Sequence, residues 1–148
     1  MAAYDLPVNA TALASDAASA VELARRFAQP VAMKIVSSSI SHKTNVGGVM
    51  LNVQGDAAVA AAFDKILWSV SNSRPGATID GVSVQPMVVD PNAVELIVGV
   101  KRDPTFGAVL MLGSGGTLVE LIGDRVLELP PLNDRLARRM LESMRAWP

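Results

Sequence analysis

Lys34 stands in the middle of an apolar run, Val31-Ala32-Met33-Lys34-Ile35-Val36, and is followed by Ser37-Ser38-Ser39-Ile40-Ser41-His42-Lys43-Thr44-Asn45-Val46-Gly47-Gly48. A strand ammonium beside a hydroxyl-rich, basic, glycine-ended loop offers a cation, several O–H and N–H donors and close backbone approach to one anionic ligand. That is the set a polyphosphate needs. The order is not that of a P-loop, because the lysine precedes the loop on a strand instead of closing it before a helix. The same residues also suit a solvated loop joining two hairpin strands, and spacing alone leaves both readings open.

His42 is the only histidine in the chain. Imidazole titrates near neutral pH and has a nucleophilic nitrogen, so this residue suits a phosphate ligand, a phosphoryl acceptor or a general acid and base; equally, it suits a plain polar loop position. Glu95 interrupts the apolar run Val94-Glu95-Leu96-Ile97-Val98-Gly99, as Lys34 interrupts its own. Two opposite charges in apolar strands either pair structurally or point into a polar cleft. In Gln85-Pro86-Met87 the pattern breaks again: the amide can pair with an adenine edge, the thioether can pack on a flat ring, and the backbone supplies a donor and an acceptor. Gly113-Ser114-Gly115-Gly116-Thr117 with Glu120 reads as a turn after a strand, or as a loop that wraps an anion or holds a catalytic carboxylate. In Arg102-Asp103-Pro104-Thr105-Phe106-Gly107, Asp103 is expected to cap a hairpin turn and Phe106 to enter the core.

The elements that must position these groups follow from periodicity and punctuation. Ser15 reads as an N-cap, and Val21, Ala24, Phe27 and Ala28 recur at helical spacing, so a helix is expected over about 16–28, stopped by Pro30. Strand, polar loop and strand follow, over 31–36, 37–45 and 49–53. Gly55-Asp56 opens a second helix with Val59, Phe63, Ile66, Leu67 and Val70 as its stripe, ending near Ser71. Residues 82–89 and 94–100 read as a hairpin around Asp90-Pro91-Asn92, and further strands are expected at 108–112 and 125–129. Asn133 caps a last helix whose buried face is Leu136, Met140 and Met144. The alanine-rich patches near 10–20 and 57–62 read as helix formers. Loops too short for crossover helices exclude a purely parallel sheet, so the fold class is α+β with mixed or antiparallel strands and packed helices.

Composition narrows the functional classes. The 148 residues, half of them apolar, suit one domain with a substantial core and exclude disorder. With no cysteine and a single histidine, disulfide frameworks, thiol nucleophiles and multi-histidine metal sites fall away. Thirteen basic against fourteen acidic residues leave a net charge of -1 and no electropositive footprint, so nucleic acid is not an expected partner. No apolar stretch of membrane-spanning length and no leader pattern is present in the sequence, so no membrane partner is expected and the expected location is cytoplasmic.

Taken together, the segments resemble the ATP-grasp domain of ADP-forming acyl-CoA synthetases of the acetate–CoA ligase type, related to the succinyl-CoA synthetase β subunit. The resemblance runs almost end to end. It rests on Tyr4 to Val8, Pro30 to Ser37, Ile40 to Val49, Gly81 to Met87 and Val94 to Gly107, and continues through Gly115 to Glu120 and Leu127 to Leu132.

The resemblance implies an ATP-grasp fold in which residues 1–148 form a single nucleotide-binding domain, with 1–80 as the first lobe and 81–148 as part of an incomplete second. ATP or ADP with Mg²⁺ would lie between the lobes under a mobile loop. Acyl-CoA, ADP and phosphate would be exchanged for acid, CoA and ATP through acyl phosphate and phosphohistidine. Lys34 would bond the nucleotide phosphates. Ser41, His42, Lys43, Thr44, Gly47 and Gly48 would form the phosphate-covering loop, with His42 in the phosphoryl relay. Gln85 to Met87 would frame adenine, Glu95 would contact ribose or phosphate, and Glu120 would stand near the metal.

The departures are as specific. The family pattern carries Asp where Asn45 stands, Pro where Ala108 stands and an apolar residue where Ser114 stands. It also continues past Pro148 into a block that supplies the main Mg²⁺ ligands, and includes CoA-binding and ligase domains. The chain is therefore expected to be a fragment whose partners are those domains, in the same chain or another subunit, and whose uncovered sheet face favours a homodimer. The resemblance leaves a rival open: a non-catalytic, regulatory ATP-grasp-like domain paired with a CoA-binding or acetyltransferase domain.

Overall fold

The computed structural model describes residues 4–116, 123–145 and 147. They fall into two compact units, Met1–Val89 and Asp90–Pro148.

In the first unit, the strands β1 (Ala12–Ala14), β2 (Val31–Val36), β3 (Val49–Val53) and β4 (Gly81–Pro86) form one antiparallel sheet in the order β1-β4-β2-β3. Helices α1 (Ala17–Phe27) and α2 (Asp56–Ser73) pack on it and on each other. Alternation along the strands sends Val31, Met33, Ile35, Val82 and Val84 into the core, each with no exposed surface, where they meet Val59, Phe63, Ile66 and Val70 of α2. Ser15 is not the cap of α1. Asp16 is: its carboxylate accepts from Ser19 N–H at 2.7 Å while Asp16 N–H donates to Ser19 Oγ, a reciprocal capping box that Ser15, one residue too early, cannot form. α1 and α2 are further joined by Arg25, whose Nε lies 3.2 Å from both carboxylate oxygens of Asp56.

In the second unit, β5 (Leu96–Asp103), β6 (Gly107–Ser114) and β7 (Arg125–Glu128) make an antiparallel sheet in that order, and α3 (Asp134–Glu142) packs against it. Asn133 caps α3 by accepting from Leu136 N–H at 2.9 Å. The small core is Leu112, Met140 and Met144, with Leu110 and Val126 packed beside them. β5 is left as an edge strand, with Val98 and Val100 exposed.

Three further expectations are corrected. The strands on either side of Asp90-Pro91-Asn92 are not a hairpin: β4 already has β1 on one edge and β2 on the other, so it has no free edge for β5. The turn signal itself is real, since Ala93 N–H donates to Asp90 O at 3.1 Å, but it joins two sheets instead of two paired strands. β4 belongs to the first sheet and lies in the first unit. Glu95 lies just before β5, whose first residue is Leu96. Phe106 is not in the core but 66% exposed: Thr105 and Phe106 N–H both donate to Asp103 Oδ1, at 2.8 and 3.0 Å, and this tight turn leaves Phe106 at the tip of the hairpin.

Candidate functional site

The register of the first sheet places one row of residues straight across it. Leu13 of β1 pairs with Ser83 of β4, Ser83 with Lys34 of β2, and Lys34 with Val49 of β3. Because Met33 and Ile35 face the core, Lys34 faces the side opposite the helices. That is why a charged residue is tolerated in the middle of a central strand. Two pairs along, Ala32 sits opposite Gln85, so the amide of Gln85 and the ammonium of Lys34 share that outer face. Ser83 Oγ donates to Lys34 O at 3.1 Å. Neither Lys34 nor Glu95 has an ion-pair partner among the described residues, so Lys34 is not consumed as a structural counter-ion.

The loop after β2 returns to the same place. Ile35 N–H donates to Gly48 O at 2.8 Å, which brings the end of the loop beside the residue that follows Lys34. Within it Thr44–Val46 form a single 3₁₀ turn, Gly47 N–H donates to Thr44 O and Gly48 N–H to Lys43 O. Ser41, His42 and Thr44 are exposed and Lys43 is half-buried. No hydrogen bond holds the imidazole of His42 among the described residues, so no carboxylate orients it as a triad base would be oriented. The two glycines answer to packing. Gly47 has φ +68°, and a Cβ on Gly48 would stand 2.9 Å from Lys43 O.

The backbone at Gln85 to Met87 is largely engaged already. Asn9 Nδ2 donates to Pro86 O at 2.9 Å, and Met87 N–H donates to Pro30 O at 2.9 Å, extending the β4–β2 ladder one step past Pro86. The free N–H expected there for a base edge is thus used internally, and the carbonyls with their second lone pairs and the Gln85 amide remain.

Glu95 belongs to the second unit. Its carbonyl accepts from Gly115 N–H, and a Cβ on Gly115 would lie 2.8 Å from Glu95 Cβ, so Gly115, directly after β6, makes room for this side chain. The open face of the same sheet forms a concavity of about 660 Å³, lined by Lys101, Phe106, Val109, Met111, Leu127 and Leu129 among others. That size and apolar lining suit a small-molecule site. The sequence missed it because Phe106 reads as a core residue and Lys101, Val109 and Met111 as ordinary strand positions. Glu120 lies outside the described residues. Among the described residues no three Asp, Glu or His side chains converge to hold a metal ion, so they do not form a preformed metal centre.

A family model described as the ATP-grasp domain matches residues 1–148. The chain belongs to the ATP-grasp domain family. Its ATP-grasp sequence is 41% identical over 143 residues to a 4-hydroxybutyrate–CoA ligase [ADP-forming] of Nitrosopumilus maritimus, covering 97% of the chain and 20% of that protein. It is 36% identical over 145 residues to the β subunit of acetate–CoA ligase [ADP-forming] I of Pyrococcus furiosus, covering 98% of the chain and 62% of the subunit. The ATP-grasp fold superposes with a TM-score of 0.89 and 38% identity on acetyl-coenzyme A synthetase 1 of Ca. Korarchaeum cryptofilum, solved in complex with coenzyme A, Ca-AMPCP and HgCl+; the match covers 99% of the chain and 63% of that one. A second structure of that enzyme, with coenzyme A and Mg-AMPPCP and its phosphohistidine segment pointing towards the nucleotide binding site, matches at TM-score 0.74 and 34% identity, covering 99% and 60%. The chain thus spans between about one fifth and 63% of the length of these relatives.

Proposed function

We propose that the chain is the nucleotide-binding part of an ADP-forming acyl-CoA synthetase, binding ATP or ADP and taking part in phosphoryl transfer between the nucleotide and a phosphohistidine during acyl-CoA + ADP + phosphate ⇌ acid + CoA + ATP. The observation that carries the reading is the outer face of the first sheet. A lysine with no ion-pair partner among the described residues stands there, and the backbone anchors a Ser-His-Lys-Thr loop beside it.

In this reading Lys34 and the loop donors Ser41, Lys43, Thr44 and the Gly47-Gly48 backbone hold phosphate oxygens. Gln85 and Met87 meet the base, Glu95 meets the ribose or a phosphate, and His42 serves the phosphoryl relay. Positioning and charge stabilisation are what phosphoryl transfer asks of a protein. Mg²⁺ keeps most of its waters and is held by phosphates with one or two carboxylates, so it would arrive with the nucleotide; Glu120 is the protein carboxylate proposed for it. The nucleotide analogues, their metals and coenzyme A named with the K. cryptofilum structures support this assignment, as do the ligase names of the other relatives, which favour it over a regulatory domain.

The partners proposed are the CoA-binding and ligase domains of the same enzyme, with a homodimer as the form expected while β5 has no neighbour on its outer edge among the described residues. The location proposed is cytoplasmic; among the described residues no helix is long and apolar enough to cross a membrane. Equilibrium dialysis with ADP and with adenosine tests the reading. ADP is expected to bind at micromolar to millimolar concentration and adenosine at least about tenfold more weakly, since charge-assisted phosphate bonds each contribute about 1.5–3 kcal/mol. Equal binding of the two would contradict it.

A further inference from the structure

The loop that carries Ser41 to Asn45 is pinned at both ends. Ile40 and Val46 each expose 7% of their surface and belong to the core of the first unit, while Ser41, His42, Thr44 and Asn45 between them are exposed. The exposed tip is thus the short stretch between two apolar pegs. At the second peg the backbone rests on α2. A Cβ on Gly47 would lie 2.9 Å from the Cβ of Ser69 and 3.2 Å from its Oγ, so loop and helix are in contact there and leave no room for a side chain at residue 47. Ser69 is half-buried, next to the core residue Val70. Its hydroxyl makes no hydrogen bond among the described residues, so the position uses the smallness of serine and not its polarity.

We propose that Ser69 is a positioning residue for the phosphate loop: by staying small it sets how closely Gly47 approaches α2, and so fixes where Ser41 to Thr44 stand relative to Lys34. The assignment of a ligand to that loop rests on the nucleotide reading above; the positioning itself does not. The mechanical link is short. Gly48, next to Gly47, is bonded to Ile35, next to Lys34. A γ carbon added at residue 69 would push Gly47 outward and carry the tip with it, because in a helix valine is held near one rotamer and threonine in two, which leaves little freedom to turn the extra group away.

The chain holds one histidine, so the ring resonances of His42 report the loop tip without assignment ambiguity. The experiment records the His42 ring signals and ADP affinity for wild type, Ser69→Ala, Ser69→Val and Ser69→Thr, with folding checked by circular dichroism. The expected result is that Ser69→Ala matches wild type, while Ser69→Val and Ser69→Thr shift the His42 signals and weaken ADP by about tenfold, a modest share of what a 1 Å misplacement removes from a positioned set of groups. Unchanged His42 signals in the branched variants overturn the proposal, whereas changed signals with unchanged ADP affinity support the positioning and contradict the placing of ADP at this loop. Loss of folding in both branched variants also overturns it, since the residue would then be a packing residue only. Shifted signals in a chain that does not bind ADP at all support the positioning of the loop and contradict the nucleotide reading.

Discussion

Ser83 Oγ donates to the carbonyl oxygen of Lys34 across 3.1 Å, tying the strand that presents the ammonium to its neighbour at the very pair of the register where Lys34 sits. The bond is part-buried and joins residues 49 apart in sequence. Ser83→Ala is therefore expected to cost about 0.5–1.5 kcal/mol of stability, the net worth of one such hydrogen bond, while leaving the ammonium in place. Urea denaturation measures the first effect and ADP titration the second; a large loss of binding at full stability would show that the hydroxyl itself meets the ligand.

The two phenylalanines Phe63 and Phe106 are expected to behave oppositely. Phe63 is 3% exposed in the core of the first unit and Phe106 is 66% exposed at a hairpin tip. Phe63→Ala should cost about 3–5 kcal/mol, and Phe106→Ala within about 0.5 kcal/mol. Denaturant midpoints of the two variants check the contrast, and similar losses would place Phe106 in a packed environment after all.

The contact between α1 and α2 should weaken in acid. The hydrogen bond from Arg25 holds the Asp56 carboxyl below the usual carboxylate range, with their charge attraction adding to it. A carboxyl depressed in the folded state contributes stability that is full above its unfolded value and is lost as the pH falls through its folded value. Asp16, held down chiefly by the Ser19 backbone N–H it accepts from, acts in the same sense. Both groups are exposed, so the effect is small and screened by salt. Melting curves through the acid range should show Asp56→Asn and Asp16→Asn each reducing the loss of melting temperature on acidification; identical slopes in wild type and variants would contradict the assignment.

Much of this architecture was legible because it is punctuated locally. Pro30, Gly47-Gly48 and Gly55 delimit β2, the loop and β3, and a lone charge in an apolar run marked Lys34 as a residue needing an outward face. Asn133 and the Leu136, Met140, Met144 spacing located α3 in the same way. Pairing partners are not encoded locally, which is why β4 and β5, adjacent in sequence, were joined in a hairpin although each finds its partners elsewhere. β1 was hidden because Ala12-Leu13-Ala14 lies among helix-forming alanines and becomes a strand only by pairing with β4. The pegs of the loop had a signal that could have been used: Ile40 and Val46 are the only large apolar residues in an otherwise polar stretch, the pattern of a loop anchored at two points.

The central claim, that nucleotide phosphates lie on the outer face of the first sheet at Lys34, is tested most directly by calorimetric titration of the wild-type chain and Lys34→Ala with ADP and ATP, each with and without Mg²⁺. The side chain of Lys34 has no ion pair or hydrogen bond among the described residues, so its removal should leave the melting temperature nearly unchanged. The account predicts that nucleotide affinity falls by about 1.5–3 kcal/mol, the range for a lost charge-assisted bond. Binding by Lys34→Ala as tight as by the wild-type chain would contradict it.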